Sequence, residues 1–212
     1  MLTRWSDAKG HDLLHRRSFI RLGATVLSLL VGRAAHGAEP AGAIEDVKGE
    51  GFAESGSARR VLQREAPVFI ADRVGTGEAS RLIIQLGRQT KVRLGSRARM
   101  TIDRYLVDAG GELTLESGPL LFDRPQGAPP APVQIRSPFG LIAVRGTRFF
   151  AGPSNGVFGV FVERGRVAVT AAGRSVVLQA GQGTDIIRPG APPSPVTNWG
   201  PARIGVALDS VL

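Results

Sequence analysis

An all-β fold is the class this sequence predicts, and three observations carry the prediction. Valine, isoleucine and leucine fall in runs of about five residues that alternate with polar residues at period two. Glycine and proline, 28 and 14 of the 212 residues, punctuate these runs at close spacing. No amphipathic helical period is present between residues 60 and 186. With 42% hydrophobic and 21% charged residues, the chain has room for one domain with a real core.

The chain opens on an address. His15-Arg16-Arg17-Ser18-Phe19-Ile20-Arg21 precedes the apolar stretch Leu22 to Val31, and Ala34-Ala35-His36-Gly37-Ala38 follows. A basic region, a short apolar core and small residues are the plan of a signal peptide, here residues 1–38. Arg16, Arg17 and Phe19 resemble the twin-arginine export signal, which implies export of a folded chain to the periplasm or beyond. Leu22 to Gly32 is 11 residues, against the ~20 of a spanning helix, so no stable membrane span is expected after processing. Cleavage is expected after Ala38, with Ala41-Gly42-Ala43 as a competing site.

Residues 39–60, a lead-in rich in charges and small side chains, are expected to hold one strand at most. The β domain then runs over 61–187. Val68 to Ala71 reads as a strand leading to Asp72-Arg73-Val74 and a turn at Gly75-Thr76-Gly77. Strands follow at Arg81–Leu86, Thr90–Leu94, Arg99–Val107 and Glu112–Glu116. A proline-rich surface loop over 125–132 separates them from a strand at Val133–Arg136. Next comes Ser137-Pro138-Phe139-Gly140, then Leu141 to Val144 and Phe149-Phe150, with Arg145-Gly146-Thr147 between these two apolar runs. A loop over 152–156, strands at Val157–Val162, Arg166–Val169, Ser175–Leu178 and Thr184–Ile187, and turns at Glu163-Arg164-Gly165 and near Gly173 complete the body. Residues 188–212 form a proline-rich linker and a short helix, with Asn198 as N-cap and Pro201 in the first turn.

Composition excludes several chemistries. There is no cysteine, and His11, His15 and His36 all lie in the address. The mature chain therefore has no Ser-His-Asp or Cys-His nucleophile and no zinc site of the usual ligands. No cofactor or metal is expected, and no enzyme activity. Asp103, Asp108, Glu112 and Glu116 are the densest carboxylates; exposed strand faces routinely carry such charges, so a carboxylate hydrolase is the least favoured reading. Gly110-Gly111-Glu112 and Gly181 to Asp185 lack the oxygen density of calcium loops. The net charge is +9, of which the address carries +4, so the rest is a modest +5 with arginines spread along strands. That argues against nucleic acid, which wants a concentrated basic patch with aromatic platforms.

The Arg145-Gly146-Thr147 interruption reads as a turn in which Gly146 takes positive φ and the Thr147 hydroxyl bonds backbone. Arg145 caps a coil end or pairs with a carboxylate; alternatively Arg145 and Arg148 meet an acidic partner surface. Phe139, Phe149, Phe150, Phe158 and Phe161 are core and edge packing or, where exposed, a partner site.

Val74-Gly75-Thr76-Gly77, Leu115-Glu116-Ser117-Gly118, Ile135 to Gly140, Val144-Arg145-Gly146-Thr147-Arg148-Phe149, Val162-Glu163-Arg164-Gly165-Arg166-Val167 and Leu178-Gln179-Ala180-Gly181-Gln182 recur in one order. This series resembles the periplasmic FecR domain over residues 61–187. The resemblance implies a solenoid- or roll-like stack of short strands and a role in envelope signalling. Only 15 residues precede Arg16, too few for the cytoplasmic region of the sigma-factor regulators in that family. The expectation is thus a freestanding periplasmic or secreted FecR-like module with an envelope protein partner. A structural or glycan-binding envelope protein is the alternative.

Overall fold

The computed structural model describes residues 40–106, 110–129 and 131–212. The export motif Arg16, Arg17 and Phe19, the first cleavage site and Asp108 lie outside the described residues. In chain order the strands are β1 (Pro40–Lys48), β2 (Gly51–Ser55), β3 (Ala58–Val61), β4 (Pro67–Phe69), β5 (Arg73–Thr76), β6 (Arg81–Leu86), β7 (Thr90–Leu94), β8 (Arg99–Leu106) and β9 (Gly110–Ser117). They continue as β10 (Leu120–Asp123), β11 (Val133–Ser137), β12 (Gly140–Val144), β13 (Arg148–Ser154), β14 (Val157–Arg164), β15 (Arg166–Ala171), β16 (Arg174–Gln179), β17 (Gln182–Ile186) and β18 (Thr197–Asn198), before helix α1 (Pro201–Asp209).

Two open nine-stranded sheets share one core. The first runs β18-β17-β14-β13-β10-β7-β6-β1-β4, the second β16-β15-β12-β11-β9-β8-β5-β2-β3. From β6 onward the chain lays a hairpin in one sheet, crosses, and lays the next in the other, so both sheets grow in sequence order. That winding is the roll-like stack expected. One step differs. β10 is a single strand in the first sheet between β9 and β11 of the second, so the chain direction reverses twice and β9 and β11 pair parallel. The proline-rich loop makes this return.

Alternation on β11 and β15 of the second sheet and on β6 and β7 of the first is what the sequence shows: β7 buries Thr90, Val92 and Leu94 and leaves Lys91 and Arg93 on the other face. β10, β13 and β14 are buried on both faces. On their outer side Leu121, Phe150 and Phe161 pack with Trp199, Ala207 and Val211 of the tail. Continuous apolar strands are what a covered sheet requires.

Four local expectations are corrected. Residues 40–61 form three strands, not one: the small residues there permit close approach, since a Cβ on Gly42 would lie 2.0 Å from the Gln85 carbonyl oxygen. Gly75-Thr76 belong to strand β5 rather than to a turn, and Gly75 leaves space for the Phe52 ring, 2.5 Å from where a Cβ would sit. β13 continues through Pro153 to Ser154, and only Asn155-Gly156 turns, both at positive φ (52° and 79°), as a two-residue hairpin demands. Asn198 does not cap the helix; it pairs with Gln182 in β18, and Gly200 takes the N-cap, with Pro201 in the first turn. The strand Leu120–Asp123 was also hidden in a short unpatterned apolar run.

Candidate functional site

Strand β12 links the two ends of the roll. At one end Ser137 pairs with Gly140 and the chain turns through Pro138-Phe139. At the other, Arg145-Gly146-Thr147 carries the chain from the second sheet into the first, where Phe149 is fully buried with its ring 5.5 Å from Phe122. Gly146 has φ +60°, a region that suits glycine. Thr147 is fully buried; its carbonyl accepts the Arg124 amide at 2.9 Å. Its hydroxyl finds no hydrogen bond among the described residues, contrary to the expected backbone bond. The residue is held by shape instead. A Cβ on Gly165 would sit 2.8 Å from the Thr147 γ-methyl and 3.0 Å from the Gly146 carbonyl oxygen, so the two turns interlock.

Beneath this corner lies a polar network. Buried Arg124 donates from Nη1 to Thr90 Oγ1 at 2.7 Å and from Nη2 to the Pro129 carbonyl at 3.0 Å, which pins the proline-rich loop. Arg164 Nη2 donates to Asp123 Oδ1 at 2.8 Å and to the Arg124 carbonyl at 3.2 Å. Arg148 donates from Nε to Glu163 at 2.8 Å and from Nη1 to Asp123 at 3.0 Å. Burial works against the charge of Arg148, but the hydrogen bond and charge of Glu163, then those of Asp123, outweigh it and hold the guanidinium above its ordinary pKa. Arg148 is therefore committed inside the chain.

Arg145 is not. It is exposed and makes no hydrogen bond or ion pair among the described residues. Val144 pairs with Val167, so Arg145 and Arg166 lie side by side where β12 ends and β15 begins. Arg166 is likewise exposed and unpaired. Both line a concavity of about 710 Å³ with Gln126, Pro129, Gly146, Gly165, Gln179 and Ala180, and no carboxylate lines it. Like charges placed opposite on neighbouring strands repel. Arg166 was missed in the sequence because it reads as the first residue of an alternating strand; only the ladder register brings it to Arg145.

The opposite end holds an apolar groove of about 460 Å³ lined by Pro138, Phe139, Pro153, Phe158, Ile187 and Pro189. Phe139 stacks on Phe158 with ring centroids 4.4 Å apart. Phe149, Phe150, Phe158 and Phe161 are buried, and Phe139 is half-buried.

The dense carboxylates are spoken for. Glu112 pairs with Arg136, and Glu116 pairs with Arg73 and accepts from Thr101 at 2.8 Å. Asp103 accepts the Thr114 hydroxyl at 2.8 Å. Gly110-Gly111-Glu112 and Gln182–Ile186 are strand, not loops, and among the described residues no three His, Cys, Asp or Glu gather as metal ligands. No helix among the described residues is long and apolar enough to cross a membrane.

A FecR-family domain is found at residues 72–168, by a match to the family described as "FecR protein", just under half of the chain. The match includes the Arg145-Gly146-Thr147 corner and Arg166. In fold, the chain is similar to two crystal structures described as "a putative anti-sigma factor from Parabacteroides distasonis ATCC 8503". Each gives a TM-score of 0.54 at 15% identity over 64% of this chain. The similarity spans 64% and 63% of those chains respectively. No curated protein matches.

Proposed function

We propose that the chain is an exported, non-catalytic protein-interaction module of the cell envelope, with a regulatory or sensory role toward a protein partner. The observation that carries this reading is the FecR-family domain at residues 72–168. The likeness of fold to chains described as anti-sigma factors supports it. So does the chemistry: Glu112, Glu116 and Asp123 are ion-paired, whereas two neighbouring cations are left open. The twin-arginine resemblance supports a periplasmic or secreted location.

The test is crosslinking in intact cells followed by fractionation. The reading predicts a mature, shortened protein in the periplasm that forms the same protein adduct in every replicate. Replacing Arg16→Lys together with Arg17→Lys is expected to leave the full-length precursor in the cytoplasm. Recovery of the mature protein alone, replicate after replicate, counts against the reading.

A further inference from the structure

The two sheets end on four edges, and three of them are blunted. β18 is two residues, β4 is three and begins at Pro67, and β3 is four with Arg59 and Arg60 at its centre. Short edges, prolines and charges are how proteins keep an edge from pairing. β16 has none of these devices. It is six residues, Arg174 to Gln179, with one charge at its first position. Its pairing with β15 runs without a bulge from Arg166↔Gln179 to Ala171↔Arg174. The Gln179 amide, which donates to Gln182 Oε1 at 2.9 Å, is turned away from β15. The alternation of an antiparallel ladder turns the backbone groups of Val177 and Ser175 the same way.

The face beside this edge is also unusual. Across β3, β2, β5, β8, β9 and β11 the outer face of the second sheet is laced with ion pairs: Glu54 with Arg59, Arg73 and Arg99, Glu116 with Arg73, and Glu112 with Arg136. On β12, β15 and β16 the lacing stops. The cross-strand rows there are Leu141-Thr170-Ser175 and Ala143-Ala168-Val177, small and uncharged, with Val177 52% exposed. The third row is Arg145-Arg166-Gln179, which holds the two unpaired cations.

We infer that β16 takes up an extended segment of the partner protein as a tenth strand, and that this segment carries acidic side chains at the Gln179 row, drawn by the charge of Arg166 and, one strand further in, of Arg145. Main-chain pairing supplies the affinity in such strand addition, and side chains supply selectivity. The uncharged rows accept apolar side chains of the added strand. Charge complementarity sets its sign. A second copy of this chain is disfavoured as the occupant, because it would bring another net +5 to the same place. The inference rests on the protein-interaction reading above.

The test titrates the mature protein with two peptides, acetyl-Thr-Val-Thr-Val-Glu-Glu-amide and its Lys-Lys counterpart, read by amide NMR shifts and hydrogen exchange. The acidic peptide is expected to shift Ser175, Val177 and Arg166 and to slow exchange along β16. Arg145→Glu with Arg166→Glu is expected to weaken the acidic peptide about tenfold or more and to favour the lysine peptide, because attraction toward the cation row becomes repulsion. Val177→Pro removes an outward N–H of the edge strand while leaving the bonds to β15 in place, and is expected to abolish binding of either peptide. Equal affinity for both peptides, shifts confined to another surface, no binding to wild type, or dimerisation through β16 on sedimentation would each overturn the inference. If cells yield a partner whose crosslinks fall away from β16, the inference fails and the interaction reading stands. If no partner is found in cells, the reading itself fails.

Discussion

At the Arg145-Gly146-Thr147 corner, neighbouring residues have opposite assignments. Arg148 holds two carboxylates at 21% side-chain exposure, while Arg145 holds none. Arg148→Ala is expected to cost about 1–2 kcal/mol in urea unfolding, because charge-assisted hydrogen bonds to Glu163 and Asp123 are lost. Arg145→Ala is expected to stay within about 0.5 kcal/mol of wild type. With its pKa raised in the folded chain, the stabilisation from Arg148's own charge is complete below the ordinary guanidinium range and is lost only above it. The difference between the two variants should therefore not change between neutral and mildly alkaline pH; a difference that collapses there would contradict the assignment. Gly146→Ala has open space around its Cβ and should cost only the backbone term, about 1–2 kcal/mol. Gly165→Ala should cost more, because its Cβ also meets Thr147 and the Gly146 carbonyl. Equal costs would show that the turns do not interlock.

At the scale of elements, the tail is a lid on the first sheet, and its seat is cut by glycines. Cβ atoms on Gly159 and Gly183 would lie 2.7 and 2.2 Å from the Trp199 ring. Arg203 covers the ring at 3.6 Å and is held by Asp185 at 2.6 Å and Ser154 at 3.0 Å. Trp199→Ala is expected to cost about 3–5 kcal/mol, as for a large aromatic in a core. Gly183→Ala should expel the ring and red-shift tryptophan emission. A Gly183→Ala protein with wild-type emission and stability would refute the seat. This arrangement also explains what the sequence conceals. Thr90-Lys91-Val92-Arg93-Leu94 announces a half-buried strand because one face meets water or polar groups. Leu120-Leu121-Phe122 carries no such pattern because α1 covers its second face, and periodicity is silent on a strand buried twice. Gly75 suggests a turn, yet it marks a strand packed too closely for a Cβ, as Gly42 does in β1.

Over the whole molecule, the all-β class and the order of most strands could be read from alternation and turn spacing. The site could be read only in part. Arg145 was visible as a cation in an apolar run, but its neighbour Arg166 lies 21 residues away and joins it only through the register of β12 on β15. Nor does a sequence show which strand ends a sheet. Among the described residues β16 ends its sheet, and the uncharged rows beside it follow from the register of β12, β15 and β16. Sheet position, not residue type, makes this corner the place where a partner can add.

The most direct measurement places a photoreactive residue at position 177, or at position 206 on the far helix, in the full chain in living cells. Val177 and Val206 are both exposed, at 52% and 71%, so accessibility alone does not favour the first. The account predicts one reproducible protein adduct from position 177, lost when Arg145 and Arg166 are both changed to glutamate, and none from position 206. Equal adducts from both positions, or none from either, would contradict it.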